Sequence, residues 1–202
     1  MRLSAEGLGG ERGGEIIFSG IGFSLGGGGS LLVTGPNGSG KSTLLRIIAG
    51  LLPPARGEVR IEGGGEDWPT PGSACHYLGH LDAMKTALTV AENLIFWQQF
   101  SGTPHMAVDE ALEMVGLAET AGLPFGYLST GQRRRIAIAR LLVSYRPVWL
   151  LDEPTAGLDL ASERQFSALM KAHLNDGGII VAATHVDLGL EGAGELRMGG
   201  GG

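Results

Sequence analysis

The chain has 202 residues and a formal net charge of −6, a length that favours one compact domain with a buried core. The acidic balance gives no overall positive field, which argues against nucleic-acid binding as the main task. The single cysteine, Cys75, cannot form an internal disulfide and is typical of a reducing compartment. No apolar run approaches the roughly 20 residues that span a bilayer. We therefore expect a cytoplasmic chain that reaches a membrane only through partners.

Strand-like segments occupy the first part of the chain. Residues 15–25 and 58–62 are predicted strands, and the glycine runs at 26–29 and 63–65 are predicted turns. Because the chain contains 36 glycines, glycine-based motifs arise by chance more often than usual. Any such motif must be judged together with the elements that flank it.

A glycine-rich loop lies between a predicted strand at 31–34 and helical spacing over 43–51. Strand, loop and helix form the arrangement of a phosphate loop, in which backbone N–H groups and the helix N-terminus surround the β-phosphate. Lys41 would neutralise β- and γ-oxygens, and the Ser42 hydroxyl would ligate Mg²⁺. The alternative is a plain glycine turn before a helix. The candidate nucleotide contacts are Gly35, Pro36, Asn37, Gly38, Ser39, Gly40, Lys41, Ser42 and Thr43.

Two further helices are predicted in the middle of the chain. Thr89, three residues before Glu92, is a plausible N-cap for the first, and the turn at 128–132 opens the second. The arginines at 133–135 lie in the first turn of that second helix. Cations there oppose the helix dipole, so we expect a compensating acid or a nucleotide charge nearby. In an acidic chain these arginines favour a dimer face or carboxylate pairing over nucleic-acid binding.

An apolar strand at 148–151 ends in the acidic pair Asp152 and Glu153. Asp152 would hold Mg²⁺ through water, and Glu153 would polarise the water that attacks the γ-phosphate. A second apolar strand at 179–184 ends at His185. Because parallel strands deliver their ends to the same sheet edge, His185 is a candidate γ-phosphate sensor.

The phosphate loop, the turn at 128–132, the acidic strand, the loop at 154–159 and His185 occur in the order typical of ATP-binding cassette (ABC) ATPases. The chain resembles that family over most of its length. The resemblance implies an α/β P-loop NTPase fold with a mainly parallel core sheet, a small antiparallel β region and a helical subdomain over about 88–127, all within one domain spanning 1–202. It also implies hydrolysis of ATP with Mg²⁺ in an ATP-sandwich dimer. In such a dimer Ser129 and the backbone N–H of Gly131 would bind the γ-phosphate held by the second copy. Gln132 and Asp159 are further candidate nucleotide contacts.

Three positions depart from the common ABC pattern. His80 replaces a glutamine that contacts Mg²⁺ and the lytic water, so it is either a catalytic residue near the metal or a loop histidine that packs against a partner. Arg12 replaces an aromatic residue that stacks on adenine. Its guanidinium can stack in the same way, or it is an exposed turn residue. Thr130 replaces the first glycine of the signature turn, whereas Gly131 is kept.

Details at 79–80, 96–97 and 133–135 make the chain similar to the ATP-binding subunit of the haem exporter of bacterial cytochrome c maturation. This resemblance implies a peripheral position at the cytoplasmic face of the inner membrane and integral membrane transporter subunits as partners. It also implies haem and a haem chaperone as indirect partners. The sequence does not distinguish haem transport from release of a haem-loaded chaperone. The alternatives are an exporter of another substrate and a single-cassette scaffold ATPase. A kinase or GTPase is less favoured, because it needs neither the signature turn nor His185.

Overall fold

A five-stranded sheet lies at the centre of the first of two compact units in the computed structural model, which describes residues 1–199. All its neighbouring strands are parallel, in the spatial order β5–β6–β7–β3–β8. Its strands are β3 (Ser30–Thr34), β5 (Cys75–Leu78), β6 (Val148–Asp152), β7 (Ile179–Ala183) and β8 (Gly194–Arg197). Every residue of β6 and β7 is buried. Both strands are apolar except for Asp152 at the end of β6, as a sheet buried on both faces requires.

A three-stranded antiparallel sheet belongs to the same unit, in the order β2–β1–β4. Its strands are β1 (Arg2–Arg12), β2 (Glu15–Gly26) and β4 (Arg56–Glu62). Strand β1 lies in the middle, although its alternation of buried and exposed residues is broken. Register shifts occur between Ala5 and Leu8, and Gly7 has φ 58° there. A bulge of this kind re-aims the strand and hides its period of two.

Two helices complete the first unit before the chain leaves it. They are α1 (Lys41–Ile48) and the single turn α2 (Pro71–Ala74). Helix α1 packs its apolar residues, Leu44, Leu45 and Ile48, into the core cluster together with residues of both sheets, among them Leu3, Val33 and Leu150. This packing fixes the N-terminal end of α1 beside the ends of the parallel strands.

The second unit comprises His80–Tyr145 and Thr155–Leu169 and is helical. Its helices are α3 (Val90–Ser101), α4 (Val108–Met114), α5 (Thr130–Val143) and the first part of α6 (Leu160–Asn175), with 3₁₀ turns at Ala118–Thr120 and Phe125–Tyr127. Helix α3 begins at a capping box, in which Thr89 accepts from the Glu92 backbone and Glu92 accepts from the Thr89 backbone. The predicted α/β class with a parallel core sheet, a small antiparallel sheet and helices is thus confirmed. Among residues 1–199, none of the helices is both long and apolar enough to cross a membrane.

Candidate active site

The predicted phosphate loop joins β3 to α1. Gly35, Gly38 and Gly40 have φ values of 135°, 84° and 97°, which L-residues with a Cβ adopt only under strain. A Cβ at Gly35 would also lie 2.3 Å from the Met198 carbonyl oxygen. The glycines of this motif are therefore required by the backbone path.

Lys41 begins α1 and is only 8% exposed. Its ammonium donates hydrogen bonds to the carbonyl oxygens of Gly35 at 2.7 Å and Pro36 at 3.1 Å. The cation is thus held inside the curve of its own loop. The nearby Ser39 hydroxyl oxygen is buried and has no protein partner. A polyphosphate fits this site, because it offers oxygens to a held cation, an unpartnered hydroxyl and a helix N-terminus.

The residues on one side of this loop meet across the strand ends. The Nε2 atom of His185 lies 3.3 Å from Asn37 Oδ1 and 3.5 Å from Glu153 Oε1. The structure therefore brings together the predicted catalytic Glu153, the predicted sensor His185 and one residue of the phosphate loop. Because one ring nitrogen contacts two oxygens, the tautomer with the proton on Nε2 suits this arrangement.

Glu153 has a backbone conformation that is rare for its residue type. Its φ is 45°, in the left-handed region that glycine and asparagine usually occupy. Its backbone N–H donates to the Ala183 carbonyl oxygen at 2.9 Å, which ties the residue to the end of β7. Strain of about 1 kcal/mol or more in such a residue is held by its surroundings. The carboxylate is thereby turned out of the strand direction and towards His185.

Asp152 ends β6 and is 1% exposed. Its Oδ2 accepts a hydrogen bond from the Tyr77 hydroxyl at 3.2 Å. Burial raises the pKa of the Tyr77 hydroxyl. In the sequence, only His80 was singled out from the segment at 77–80, so the contact between Tyr77 and Asp152 was not predicted.

Mg²⁺ requires oxygen ligands and usually keeps several waters. No group of three or more His, Cys, Asp or Glu side chains in the described part of the chain could hold a metal ion by itself. The donors present, a carboxylate at Asp152 and a hydroxyl at Ser42, are of the hard type that Mg²⁺ prefers. These residues therefore fit an ion that is shared with nucleotide phosphates rather than one bound in a cage of protein ligands.

Arg12 is the last residue of β1 and is exposed, opposite Glu15 across the turn formed by Gly13 and Gly14. The side chains that approach the loop from this sheet belong instead to β2. A Cβ built on Gly40 would lie 2.8 Å from Phe18 Cδ1 and 3.1 Å from Ile17 Cδ1. The apolar surface beside the loop is thus provided by Ile17 and Phe18, which the sequence motifs did not reveal.

The predicted signature turn lies in the second unit and is built around a capping box. Ser129 is the N-cap of α5, and its hydroxyl accepts from the Gln132 backbone N–H at 3.3 Å. The Gln132 side-chain oxygen accepts from the Ser129 backbone N–H at 2.9 Å. Both polar side chains therefore stabilise the helix start. A Cβ at Gly131 would lie 3.0 Å from the Gly157 carbonyl oxygen, which explains the glycine there.

Asp159 directly precedes α6, at the N-cap position. Its Oδ1 accepts a hydrogen bond from the Ser162 backbone N–H at 2.8 Å, which is the usual N-cap contact. This hydrogen bond is the largest cause that holds the pKa of the Asp159 carboxyl below its usual range, and a hydrogen bond with the Ser162 side chain is the second. A depressed pKa means that the folded state favours the ionised group. The contribution to folding is therefore present at neutral pH and is lost as pH falls through the folded-state pKa.

We accordingly expect Asp159→Ala to be destabilising at pH 7 and to match the unchanged protein more closely below about pH 4, near the ordinary pKa of Asp. Urea denaturation of both proteins over a pH series measures this difference. Glu119→Ala is the control, because Glu119 is exposed on a 3₁₀ turn. A difference that stays constant with pH would contradict the capping role.

The arginines at the start of α5 have an acidic neighbour within the second unit. Burial raises the pKa of the Asp82 carboxyl, and the positive charges of Arg134, Arg133 and Arg140 oppose that rise. Burial lowers the pKa of Arg140 to about 10, and its guanidinium lies 4.7 Å from the centre of the Trp97 ring. Asp82 is thus an acidic residue in the electrostatic neighbourhood of these arginines. His80, two residues earlier, is exposed.

A phosphate loop between a parallel strand and a helix, with an acidic strand end in the same sheet, defines a P-loop nucleoside triphosphatase. A solved dimer of the ATP-binding cassette MJ0796, in a post-hydrolysis state bound to ADP and Pi, is similar to this chain. The two are 27% identical with a TM-score of 0.81, and the match covers 97% of this chain and 94% of the other.

The family model described as ABC transporter matches residues 18–156. The cytochrome c biogenesis ATP-binding export protein CcmA of Chelativorans sp. (strain BNC1) is 70% identical over 100% of both chains. The protein with the same description from Mesorhizobium japonicum is 68% identical over 98% of both. The chain belongs to the ABC transporter family and, within it, to the group of these CcmA proteins. The predicted resemblance is confirmed at both levels.

Proposed function

We propose that the chain is the ATP-hydrolysing subunit of a cytochrome c biogenesis exporter, and that residues 1–202 act as one ATPase domain. The observation that supports hydrolysis is the meeting of Glu153, His185 and Asn37 at the phosphate loop. This arrangement sets a carboxylate and an imidazole where the terminal phosphate of a nucleotide would lie above Lys41. A protein that only bound ATP would need the loop but not the strained carboxylate.

In this proposal Lys41 and the N–H groups of the loop bind the β- and γ-phosphates. Glu153 accepts a hydrogen bond from the attacking water and orients it, while His185 donates from Nε2 to the γ-phosphate. The Nε2–H of His185 would therefore leave its present contacts with Asn37 and Glu153 and donate a hydrogen bond to a phosphate oxygen instead. Mg²⁺, held by Ser42 and through water by Asp152, would neutralise charge on the β- and γ-oxygens.

A second copy of the chain completes the site. The N-terminus of α5, with Ser129 and the Gly131 N–H, would bind the γ-phosphate held by the facing copy, and Asp159 would lie at the same interface. Because the capping box already occupies Gln132, that residue orders the turn in this proposal. Only the ATP state offers the γ-phosphate contact, so hydrolysis favours opening of the dimer.

Membrane subunits would turn this opening and closing into transport. The relatives named as ATP-binding export proteins of cytochrome c biogenesis support export as the work of this complex. In this proposal the complex lies at the cytoplasmic face of the bacterial inner membrane, and its work is haem export or release of a haem-loaded chaperone. The His80–Lys85 region is proposed to relay the motion to the membrane subunits. His80 would act there in packing or near the metal, and Arg12 would border the adenine beside Ile17.

Purified complex containing the chain and its membrane subunits tests this proposal. We expect haem to raise the ATPase rate several-fold over the rate without haem, since coupling ties turnover to the cargo. Iron-free protoporphyrin is the control ligand and should not match haem. Failure of the chain to co-purify with membrane proteins would overturn the exporter assignment. An unchanged rate with haem, together with stimulation by another compound, would identify a different cargo.

A further inference from the structure

Tyr77 lies in a chain of hydrogen bonds that crosses three elements of the first unit. Arg46 of α1 donates from Nε to the Tyr77 hydroxyl oxygen at 3.3 Å. The Tyr77 hydroxyl in turn donates to Asp152 Oδ2 at 3.2 Å. Tyr77 belongs to β5, which is parallel to β6 and pairs with it up to Leu78 and Leu151. The phenol therefore extends past the paired residues and reaches the carboxylate at the end of the neighbouring strand.

Arg46 connects this series of hydrogen bonds to the phosphate loop. It follows Ser42 by four residues in α1 and so lies on the same face of the helix. Ser42 is the hydroxyl and Asp152 the carboxylate in the proposed magnesium site. Arg46 and Tyr77 thus join the two elements that carry these two oxygen donors.

Gly79 provides the space that the Tyr77 ring occupies. A Cβ at position 79 would lie 2.7 Å from Cε1 of the ring and 2.9 Å from the hydroxyl oxygen. Any side chain there would displace the phenol from its present position. The φ of Gly79 is not in the left-handed region, so the glycine is explained by the ring and not by its backbone conformation.

We propose that Tyr77 is a positioning residue for the Asp152 carboxylate, and that Gly79 is needed to let it act. The phenol holds one carboxylate oxygen and fixes the orientation of the group before the metal–nucleotide complex arrives. This inference rests on the proposed role of Asp152 in holding Mg²⁺ through water. Partners that orient the groups around a metal are generally worth tenfold or more in metal affinity.

Tyr77→Phe in the full chain removes the hydroxyl and keeps the ring. We expect the Mg²⁺ concentration for half-maximal ATPase rate to rise about tenfold, with kcat at saturating Mg²⁺ within about twofold of the unchanged protein. The affinity for a fluorescent ATP analogue in EDTA should not change. Mn²⁺ affinity of the protein–ATP complex, followed by electron paramagnetic resonance, should fall by the same factor without reference to turnover.

Gly79→Ala offers an independent route to the same defect. This substitution keeps the Tyr77 hydroxyl in the protein but displaces it from Asp152. The Mg²⁺ requirement should therefore rise as it does in Tyr77→Phe. The double variant should be no worse than either single one, because both remove the same contact. Tyr145→Phe is the matched control, since Tyr145 lies in the second unit against His105.

Asp152→Asn separates this inference from the function on which it rests. If Asp152→Asn weakens Mn²⁺ binding and both Tyr77→Phe and Gly79→Ala leave it unchanged, the positioning role is wrong and the metal role of Asp152 stands. If Asp152→Asn also leaves Mn²⁺ binding unchanged, the proposed metal site fails and the inference fails with it. Additive losses in the double variant would likewise overturn the shared contact.

Discussion

Lys41→Met should lower the affinity of the chain for ATP by about 100-fold. Methionine has a similar length and fills the space of a side chain that is only 8% exposed, so the packing of α1 should survive. The loss is electrostatic, because a charged hydrogen bond to a phosphate contributes about 3 kcal/mol at most, which is a factor of about 100 in affinity. Titration with a fluorescent ATP analogue measures the change directly.

The structure adds a second component to this loss. Without nucleotide the Lys41 ammonium holds the Gly35 and Pro36 carbonyl oxygens, so its removal also loosens the loop. Lys171→Met is the control, because Lys171 is exposed on α6 and should leave affinity unchanged. Near-normal affinity in Lys41→Met, with thermal unfolding unaltered, would contradict the phosphate-loop assignment.

Glu153→Gln should bind ATP normally but hydrolyse it at least about 100-fold more slowly. An amide has the shape of the carboxylate but cannot accept a proton or orient the water as strongly, and such a group typically contributes 10²–10⁴-fold. Single-turnover hydrolysis of ATP measures the rate, and nucleotide titration measures the affinity. Because the γ-phosphate persists, the variant should also accumulate as a dimer with ATP on size-exclusion chromatography.

Glu191→Gln is the matched control for this change, since Glu191 is exposed in the same unit and lies outside the proposed site. Its rate and elution should equal those of the unchanged protein. Glu153→Gln acting at a normal rate would remove Glu153 from the catalytic role. A rate loss accompanied by lost ATP affinity would instead indicate that the left-handed backbone at this position had relaxed.

Motifs in the sequence predicted the parts of the site that depend on local order. The strand–loop–helix pattern predicted a helix over 43–51 after the loop, which the structure begins two residues earlier, at Lys41. The apolar runs located the strands that end at Asp152 and near His185. These predictions succeed because buried parallel strands and phosphate loops need particular residue types in sequence. The sequence placed His185 at the sheet edge of the nucleotide, and in the structure its Nε2 lies 3.5 Å from Glu153 Oε1.

Other features depend on contacts between distant segments and could not be predicted from the pattern. Strand β1 was missed because its bulge near Gly7 breaks the alternation, and β8 was missed because it is only four residues long and mostly exposed. The hydrogen bond from Tyr77 to Asp152 joins residues 75 positions apart. No local signal in the sequence distinguishes this tyrosine from a core aromatic residue.

Strand β8 braces the phosphate loop from outside. Met198, the residue directly after β8, donates its N–H to the Thr34 carbonyl oxygen at 2.8 Å, and its own carbonyl oxygen fills the space where a Cβ at Gly35 would lie. Loop geometry and the docking of this strand therefore depend on each other. By reciprocal linkage, a nucleotide that orders the loop also protects β8 against local unfolding, and mutations that loosen β8 weaken nucleotide binding without touching the ligand.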